Sequence, residues 1–518
     1  MNAIFLTQSN SLNFFYDLYK KLYEDEFINS ACFFVSDPYH YQQFLRENPN
    51  FEKSNLLIFK EWEMLSLSNK RNIDTKIPSL IEDELNLKTL WPSVIANRRI
   101  FFGSKYAFRQ DYTSEFTHEE ILSIQSVFYS EIYELFKKFN PEIIFSFICT
   151  TTQEYICDEL ARDQKIPHLN LRPTRVENFM HFATSVHEPS ERLIFDYNEN
   201  INQLNSDYFY EKAEKYLNKS NDNIVKYEGV FLPSQKPPQA QIKIPKIHKI
   251  LDIIRRAYIQ EYQYRFSIPK GGNVLPGFIK PLFYRMIVNP ISVLKIRKYL
   301  LNKYIATDDL IDMEYAFYPL HIEPEVTLLV YSRYFLNQIE VIRNIAFSLP
   351  FGMKLIIKEH PAAVGKRPLS YYKKILAIPN VEMIDSSIET KVLIKNSKLV
   401  ATISGSVGLE GIIMGKPVII FGNAPYQILP ETTVKQVENL SNLHEDVSFM
   451  LRSFKYDPES IKIFIASIMR TSVPIDFYTT LLGRSQQYQY TESVDYEKEI
   501  SKLAEYSKES FNEIKKLI

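Results

Sequence analysis

Short, wholly apolar runs that stop abruptly at polar residues, alternating with stretches of helical spacing, restrict this chain more than any other feature. Ala3–Thr7 and Ala31–Ser36 are two such runs. An apolar stretch this short, without polar alternation, has both faces buried, as strands of a parallel sheet do. Between them, Leu12, Phe15, Leu18, Tyr19 and Leu22 recur at helical spacing over Ser11–Phe27. Ser114–Phe139 is predicted as a long amphipathic helix, with Thr117 and Glu120 as its capping box and Ile121, Ile124, Phe128, Ile132 and Leu135 on one face. Pro141 ends it, and Glu142–Cys149 reads as a strand, Thr150–Thr152 as a turn, Gln153–Gln164 as a helix and Ile166–Leu171 as the next strand. A strand–helix–strand run of this kind implies a right-handed crossover, with the strand ends pointing one way.

The rhythm loosens after about Asn198 and returns at Tyr315. Strands are expected at Tyr315–Pro319, Lys354–Lys358, Val381–Ile384, Leu399–Ile403 and Pro417–Phe421, with helices at Leu336–Ser348, Ser370–Ala377, Ile388–Asn396 and Gly408–Met414. Tyr496–Lys515 reads as a closing amphipathic helix. At 518 residues the chain is too long for one ordinary core. The expected fold is α/β and GT-B-like: two facing, doubly wound Rossmann-type domains with a helical insertion and a C-terminal helical tail. The division is 1–197 as an acceptor-side domain, 198–306 as linker and basic insertion, 307–475 as a nucleotide-sugar domain and 476–518 as the tail. Within the insertion, Ser234–Pro245 is proline-rich, and Lys243–Lys303 holds thirteen basic residues against two acidic ones.

A formal net charge of −1 excludes a globally basic nucleic-acid binder. Three cysteines are too few for a disulfide framework and none has zinc-site spacing. The N-terminus has no basic lead and reads as a first strand rather than a signal peptide. No stretch approaches the roughly 20 apolar residues of a membrane span. A cytoplasmic protein is therefore expected.

The chemistry-bearing residues cluster after strands. Leu355–Ile357 ends in Lys358-Glu359-His360-Pro361, and ligands of open parallel sheets bind beyond the carboxyl ends of strands. Val400–Ile403 runs into Ser404-Gly405-Ser406-Val407-Gly408-Leu409-Glu410-Gly411, a strand-to-helix turn whose backbone N–H groups and helix dipole suit phosphate. Only 13 glycines occur in the chain, so three within one motif point to close backbone approach. Glu410 is placed to meet ribose hydroxyls, and Tyr426 is a candidate for closing over a base or sugar, although such a tyrosine more often packs a loop. Tyr318–Glu325 follows a strand too, which brings His321 and Glu325 to the same cleft; Glu325 is as readily explained by helix-dipole compensation. From the first half, Glu154 is the leading catalytic carboxylate. Asp158 reads equally well as a solvent-facing helix residue. Arg172 and Arg175 are candidates for an acidic substrate, and Asn97-Arg98-Arg99 is a less specific third group. No Asp-x-Asp, G-x-G-x-x-G, G-x-x-x-x-G-K-[ST] or G-x-S-x-G occurs, which points away from metal-bridged pyrophosphate, dinucleotide, P-loop and hydrolase-elbow chemistry.

At these residues the chain resembles the bacterial capsular polysaccharide biosynthesis family, which includes retaining β-Kdo transferases. The resemblance runs from about Tyr315 to Tyr426, through Y-P-L-H-I-E-P-E, L-P-F-G-M-K-L-I-I-K-E-H-P, R-P-L-S-Y-Y and S-G-S-V-G-L-E-G-I-I-M-G-K-P-V-I-I-F-G. It implies a GT-B fold and a glycosyltransferase that moves sugar to a surface glycan; neither cofactor nor metal is expected. An H-P pair with a serine motif is what CMP-sugar enzymes use, so His360 would contact the nucleotide phosphate with Ser404 and Ser406 nearby. The partners so implied are a CMP-activated acidic sugar and a glycan or glycolipid acceptor. The basic segment suggests a peripheral contact with the inner membrane face, or else a solvated face or interdomain brace. A UDP-sugar transferase or epimerase, a glycerophosphotransferase and a non-catalytic scaffold of capsule assembly are the alternatives.

Overall fold

The computed structural model describes residues 1–8, 11–54, 56–68, 76–102, 116–201, 207–221, 287–323, 325–364, 367–476 and 496–517, together with 251, 254, 255 and 283. The proline-rich stretch Ser234–Pro245 and most of the basic segment lie outside them.

Strands β1 (Asn2–Thr7), β2 (Ser30–Val35), β3 (Leu57–Lys60), β4 (Ile143–Phe147) and β5 (His168–Pro173) form the parallel part of the first sheet. Antiparallel β6 (Phe179–Ala183) and β13 (Val473–Pro474) extend it to the order β13-β6-β5-β4-β1-β2-β3. The second sheet is parallel throughout and is built from β7 (Tyr315–Pro319), β8 (Lys354–Lys358), β9 (Val381–Ile384), β10 (Leu399–Thr402), β11 (Val418–Ile420) and β12 (Val434–Gln436). Its order is β12-β11-β10-β7-β8-β9. In each sheet the chain winds outward to one side and then returns to build the other, so a crevice opens at the reversal, between β1 and β4 and between β7 and β10. Two doubly wound sheets of this order give the expected GT-B-like fold.

Fully apolar strands bury both faces. On one side of the first sheet, Phe5 is stacked between Phe33 and Phe145, with ring centroids 4.9 Å away in each direction. The capping box predicted at Thr117 and Glu120 is present, and the helix it starts spans His118–Phe139. Two boundaries differ from expectation for backbone reasons. β4 stops at Phe147 because Ile148 takes φ 45°, a left-handed conformation no strand continues through. Ile166 belongs to the preceding helix's end, its N–H donating to the Ala161 carbonyl past left-handed Lys165.

Residues expected to open a linker are helical instead. Glu191–Ile201 and Tyr208–Asn221 pack against helix Pro458–Arg470, where Leu193, Tyr197, Ala213 and Tyr216 share a core with Phe464 and Ile468. Arg470 fixes the pair by reaching Asp196 at 2.5 Å and Asp207 at 2.7 Å. The chain then rejoins the first sheet through β13, and helix Tyr496–Leu517 buries Leu503 and Phe511 in the first sheet's core. The carboxyl ends of the two sheets' strands face one another, and Arg175, just after β5, donates to the Ser404 carbonyl beyond β10 at 3.5 Å.

Candidate active site

The crevice of the second sheet lies between the ends of β7 and β10. β7 delivers His321, whose backbone is pinned on both sides. Its N–H donates to Gln338 Oε1 at 2.8 Å, while its carbonyl accepts from Gln338 Nε2 at 3.1 Å and from Arg367. The ring is buried and neither nitrogen has a hydrogen-bond partner among the described residues. A buried imidazole left open at both ends is costly unless something outside the protein completes it. Burial, reinforced by Arg175, Arg367 and His360, lowers its pKa from 6.5 to about 3, so the ring is neutral at physiological pH, with one donor and one acceptor.

β10 delivers the facing wall. Ser404 is 2% exposed and its hydroxyl likewise has no hydrogen-bond partner among the described residues. Helix Ser406–Ile413 follows with glycine at its N-cap, so no side chain closes its first turn. The first-turn N–H groups, those of Ser406 and Val407 among them, stay available as donors to an anion. The absence of a side chain at Gly405 is what lets the two walls meet. A Cβ there would stand 3.1 Å from both His321 Nε2 and Thr402 Oγ1.

β8 supplies the third side. Along Lys358-Glu359-His360 the side chains alternate. Glu359 turns inward, 1% exposed, to a paired contact with Arg367 and a 2.8 Å hydrogen bond from Tyr372. His360 is exposed, and Pro361 opens a short 3-10 turn. Lys358 Nζ donates to Thr390 Oγ1 at 2.7 Å. Burial lowers the Lys358 pKa to about 8, while the charges of Glu410, Glu389 and Asp385 act against the shift.

From across the cleft comes Arg175, held at φ 66°. It faces His321, and together with Arg98 it faces Glu325. Glu325 is half-buried and precedes the short helix Val326–Leu329, yet its side chain makes no cap hydrogen bond. Burial raises its pKa, opposed by the two arginines.

Four expectations need correction. Glu154 does not face the cleft: it is fully buried, with its carboxylate accepting from Gln8, the N–H groups of Thr150 and Thr151 at 2.7 and 2.9 Å, and the Thr151 hydroxyl at 3.0 Å. The Thr151–Glu154 capping box closes on it, and burial raises its pKa to about 7. Arg172 is fully engaged by protein groups, bonded to Asn170, the carbonyls of Ser185 and His187, and Glu188 at 2.5 Å, because the chain after β6 passes over the guanidinium, which also lies 5.5 Å from the centre of the Tyr331 ring. Tyr426 is 2% exposed and lies under Gly408, its hydroxyl donating to the Gly405 carbonyl at 2.6 Å; it supports the turn from beneath. Asp158 is buried, paired with His168 at 2.7 Å and Arg162 at 2.8 Å.

The sequence reading passed over Arg367, which ties the end of β8 to the His321 loop, and Gln338, which pins that loop to helix Gln338–Ser348. Both look like ordinary polar loop or helix-end residues, and their only signal is that Arg367 opens the R-P-L-S-Y-Y stretch.

Residues 335–443 match the family described as capsule polysaccharide biosynthesis protein. Protein FixF of Sinorhizobium fredii (strain NBRC 101917 / NGR234) is 30% identical over 121 residues, 22% of this chain and 28% of that protein. The matched part is thus less than a third of that curated relative. Among solved structures, the β-Kdo 2,4 transferase KpsC of Thermosulfurimonas dismutans superposes with a TM-score of 0.35 at 13% identity, covering 63% of this chain and 79% of the other. The UDP-GlcNAc 2-epimerase of Neisseria meningitidis bound to UDP-GlcNAc covers 91% of this chain and 98% of its own, at 13% identity and a TM-score of 0.27. Over residues 335–443, the domain that supplies the crevice carries the sequence pattern of the capsule polysaccharide biosynthesis family.

Proposed function

We propose that the chain is a glycosyltransferase that holds a nucleotide-activated sugar in the second domain's crevice and passes the sugar to a surface-polysaccharide acceptor. The observation that carries this reading is the pair of buried groups without a hydrogen-bond partner among the described residues, the His321 imidazole and the Ser404 hydroxyl, set beside an uncapped helix start. Hydrogen-bonding capacity of both signs, with N–H donors for an anion, is what a nucleotide phosphate and its attached sugar need.

In this reading the helix start, Ser404 and His360 hold the phosphate, and Lys358 adds positive charge that would stabilise a departing nucleotide. Glu410 serves the ribose. Glu325 is the carboxylate that meets the reacting sugar. Its raised pKa suits proton transfer with the acceptor hydroxyl, and the partly desolvated site strengthens its interaction with charge developing at the anomeric carbon. Arg175 takes the carboxylate of an acidic donor sugar, for which CMP-Kdo is the favoured candidate.

Isothermal titration of CMP, CDP and UDP into the wild type, His321→Ala and His360→Ala tests the reading. CMP is expected to bind, and either substitution to weaken it by about tenfold or more. Failure of all three nucleotides to bind, or equal binding by both variants, overturns it. Tight UDP binding without CMP would transfer the site to UDP-sugar chemistry.

A further inference from the structure

Helix Asn289–Leu300, at the edge of the second domain, is apolar on two opposite sides. Its inner side, Val293, Ile296 and Leu300, is buried and packs toward helix Leu369–Leu376. Its outer side presents Ile291 and Leu294, 45% and 55% exposed, and the stripe continues to Ile287 before the helix and Leu301 after it, at 47% and 73%. Steps of four, three and seven residues keep these four on one face of a helical path. An outward stripe of this kind leaves much of its apolar surface in water among the described residues.

Its surroundings are cationic. Lys295 and Arg297 fall on the two shoulders of the stripe, Lys298 within it and Lys303 beyond its end, all exposed. From Phe283 to Thr307 the sequence contains no Asp or Glu. Apolar side chains projecting outward between cations, with no acidic residue on the helix itself and the first ones, Asp308 and Asp309, beyond its end, match an anionic lipid surface: the side chains enter the acyl boundary while the cations stay among the headgroups. A protein partner would need a groove with a negative rim, whereas a lipid surface supplies both features across any area. No helix among the described residues is long and apolar enough to cross a membrane, so the contact is with the surface.

We infer that this face docks the protein onto an anionic membrane, with Ile291 and Leu294 inserted and Lys295, Arg297 and Lys298 on the headgroups. The inference holds whether or not the crevice transfers sugar, since lipid binding is read without donor or acceptor.

The test is co-sedimentation of the full chain with phosphatidylcholine vesicles, with and without phosphatidylglycerol, at low and high salt. Binding is expected to the anionic vesicles and to fall with salt. Ile291→Ser with Leu294→Ser should abolish most of it, and Lys295→Gln with Lys298→Gln should lower affinity by about fivefold for each cation lost. All four side chains are exposed, so thermal unfolding of the variants should match the wild type. Absent or salt-insensitive sedimentation, or well-folded variants that sediment like the wild type, overturns the inference. So does a concentration-dependent dimer that the serine substitutions dissolve, which would assign the stripe to a second copy of this chain.

Discussion

The His321 ring stands so close to Gly405 that a methyl group added there would lie 3.1 Å from Nε2. Strand end and helix start are therefore in contact across the reversal of the second sheet, and glycine is what allows it.

Substituting Gly405→Ala forces the ring or Thr402 to yield by a few tenths of an ångström. Because neither ring nitrogen is hydrogen-bonded among the described residues, the ring should turn away, weakening CMP binding by about tenfold with little change in thermal stability. Titration and a melting curve on the same preparation check both halves.

Gly408→Ala is a different experiment, although the residues are three apart. Its Cβ would stand 2.2 Å from the Tyr426 hydroxyl, which must leave its bond to the Gly405 carbonyl. A loss of about 1–3 kcal/mol in urea unfolding is expected. Tyr426→Phe removes the bond without the clash and should cost about 1 kcal/mol.

Arg367 is fully enclosed with Glu359 and also holds the His321 carbonyl. Arg367→Ala leaves a buried carboxylate without its cation, and a loss of about 3–5 kcal/mol is expected. Adding Glu359→Gln should recover part of that stability, which a double-mutant cycle measures. Nucleotide binding should fall in the single variant, because the His321 loop loses its brace.

Glu154 makes a prediction about pH. Burial raises its pKa from 4.5 to about 7, so the native protein keeps a proton that the unfolded chain releases. The resulting stabilisation is complete below pH 4.5 and is lost as pH rises through about 7, a decline of about 3 kcal/mol. Glu154→Gln should flatten stability across that window, seen in urea midpoints taken at intervals through it. An unchanged slope would show that the carboxyl is not protonated in the folded protein.

The strands were legible because burial on both faces leaves an unbroken apolar run. Tyr315–Pro319, Lys354–Lys358 and Val381–Ile384 lie where that pattern places them. The antiparallel additions β6 and β13 were not, since β6 includes His181 and β13 is two residues long. His321, Lys358 and Gly405 were expected at strand ends, and they stand at or just beyond the ends of β7, β8 and β10. Arg172 stood at a strand end as well and was misjudged. Its fate depends on Ser185, His187 and Glu188, and nothing local in the sequence says that the chain doubles back over it. Arg367 was overlooked for a related reason: its partners, Glu359 and the His321 carbonyl, are 8 and 46 residues away. Sequence periodicity reports on burial and on backbone course, and a bond between loops leaves no period.

The return of the chain to its first sheet sets an order on folding during synthesis. Leu503, Phe511 and Ile514 share a core with Phe5 and Phe33, yet they leave the ribosome only after every strand of the second sheet. The second domain can thus close its sheet while the first still exposes the surface that helix Tyr496–Leu517 will cover. The half made first is the half finished last, and a nascent chain stalled before that helix would present an open apolar face to chaperones.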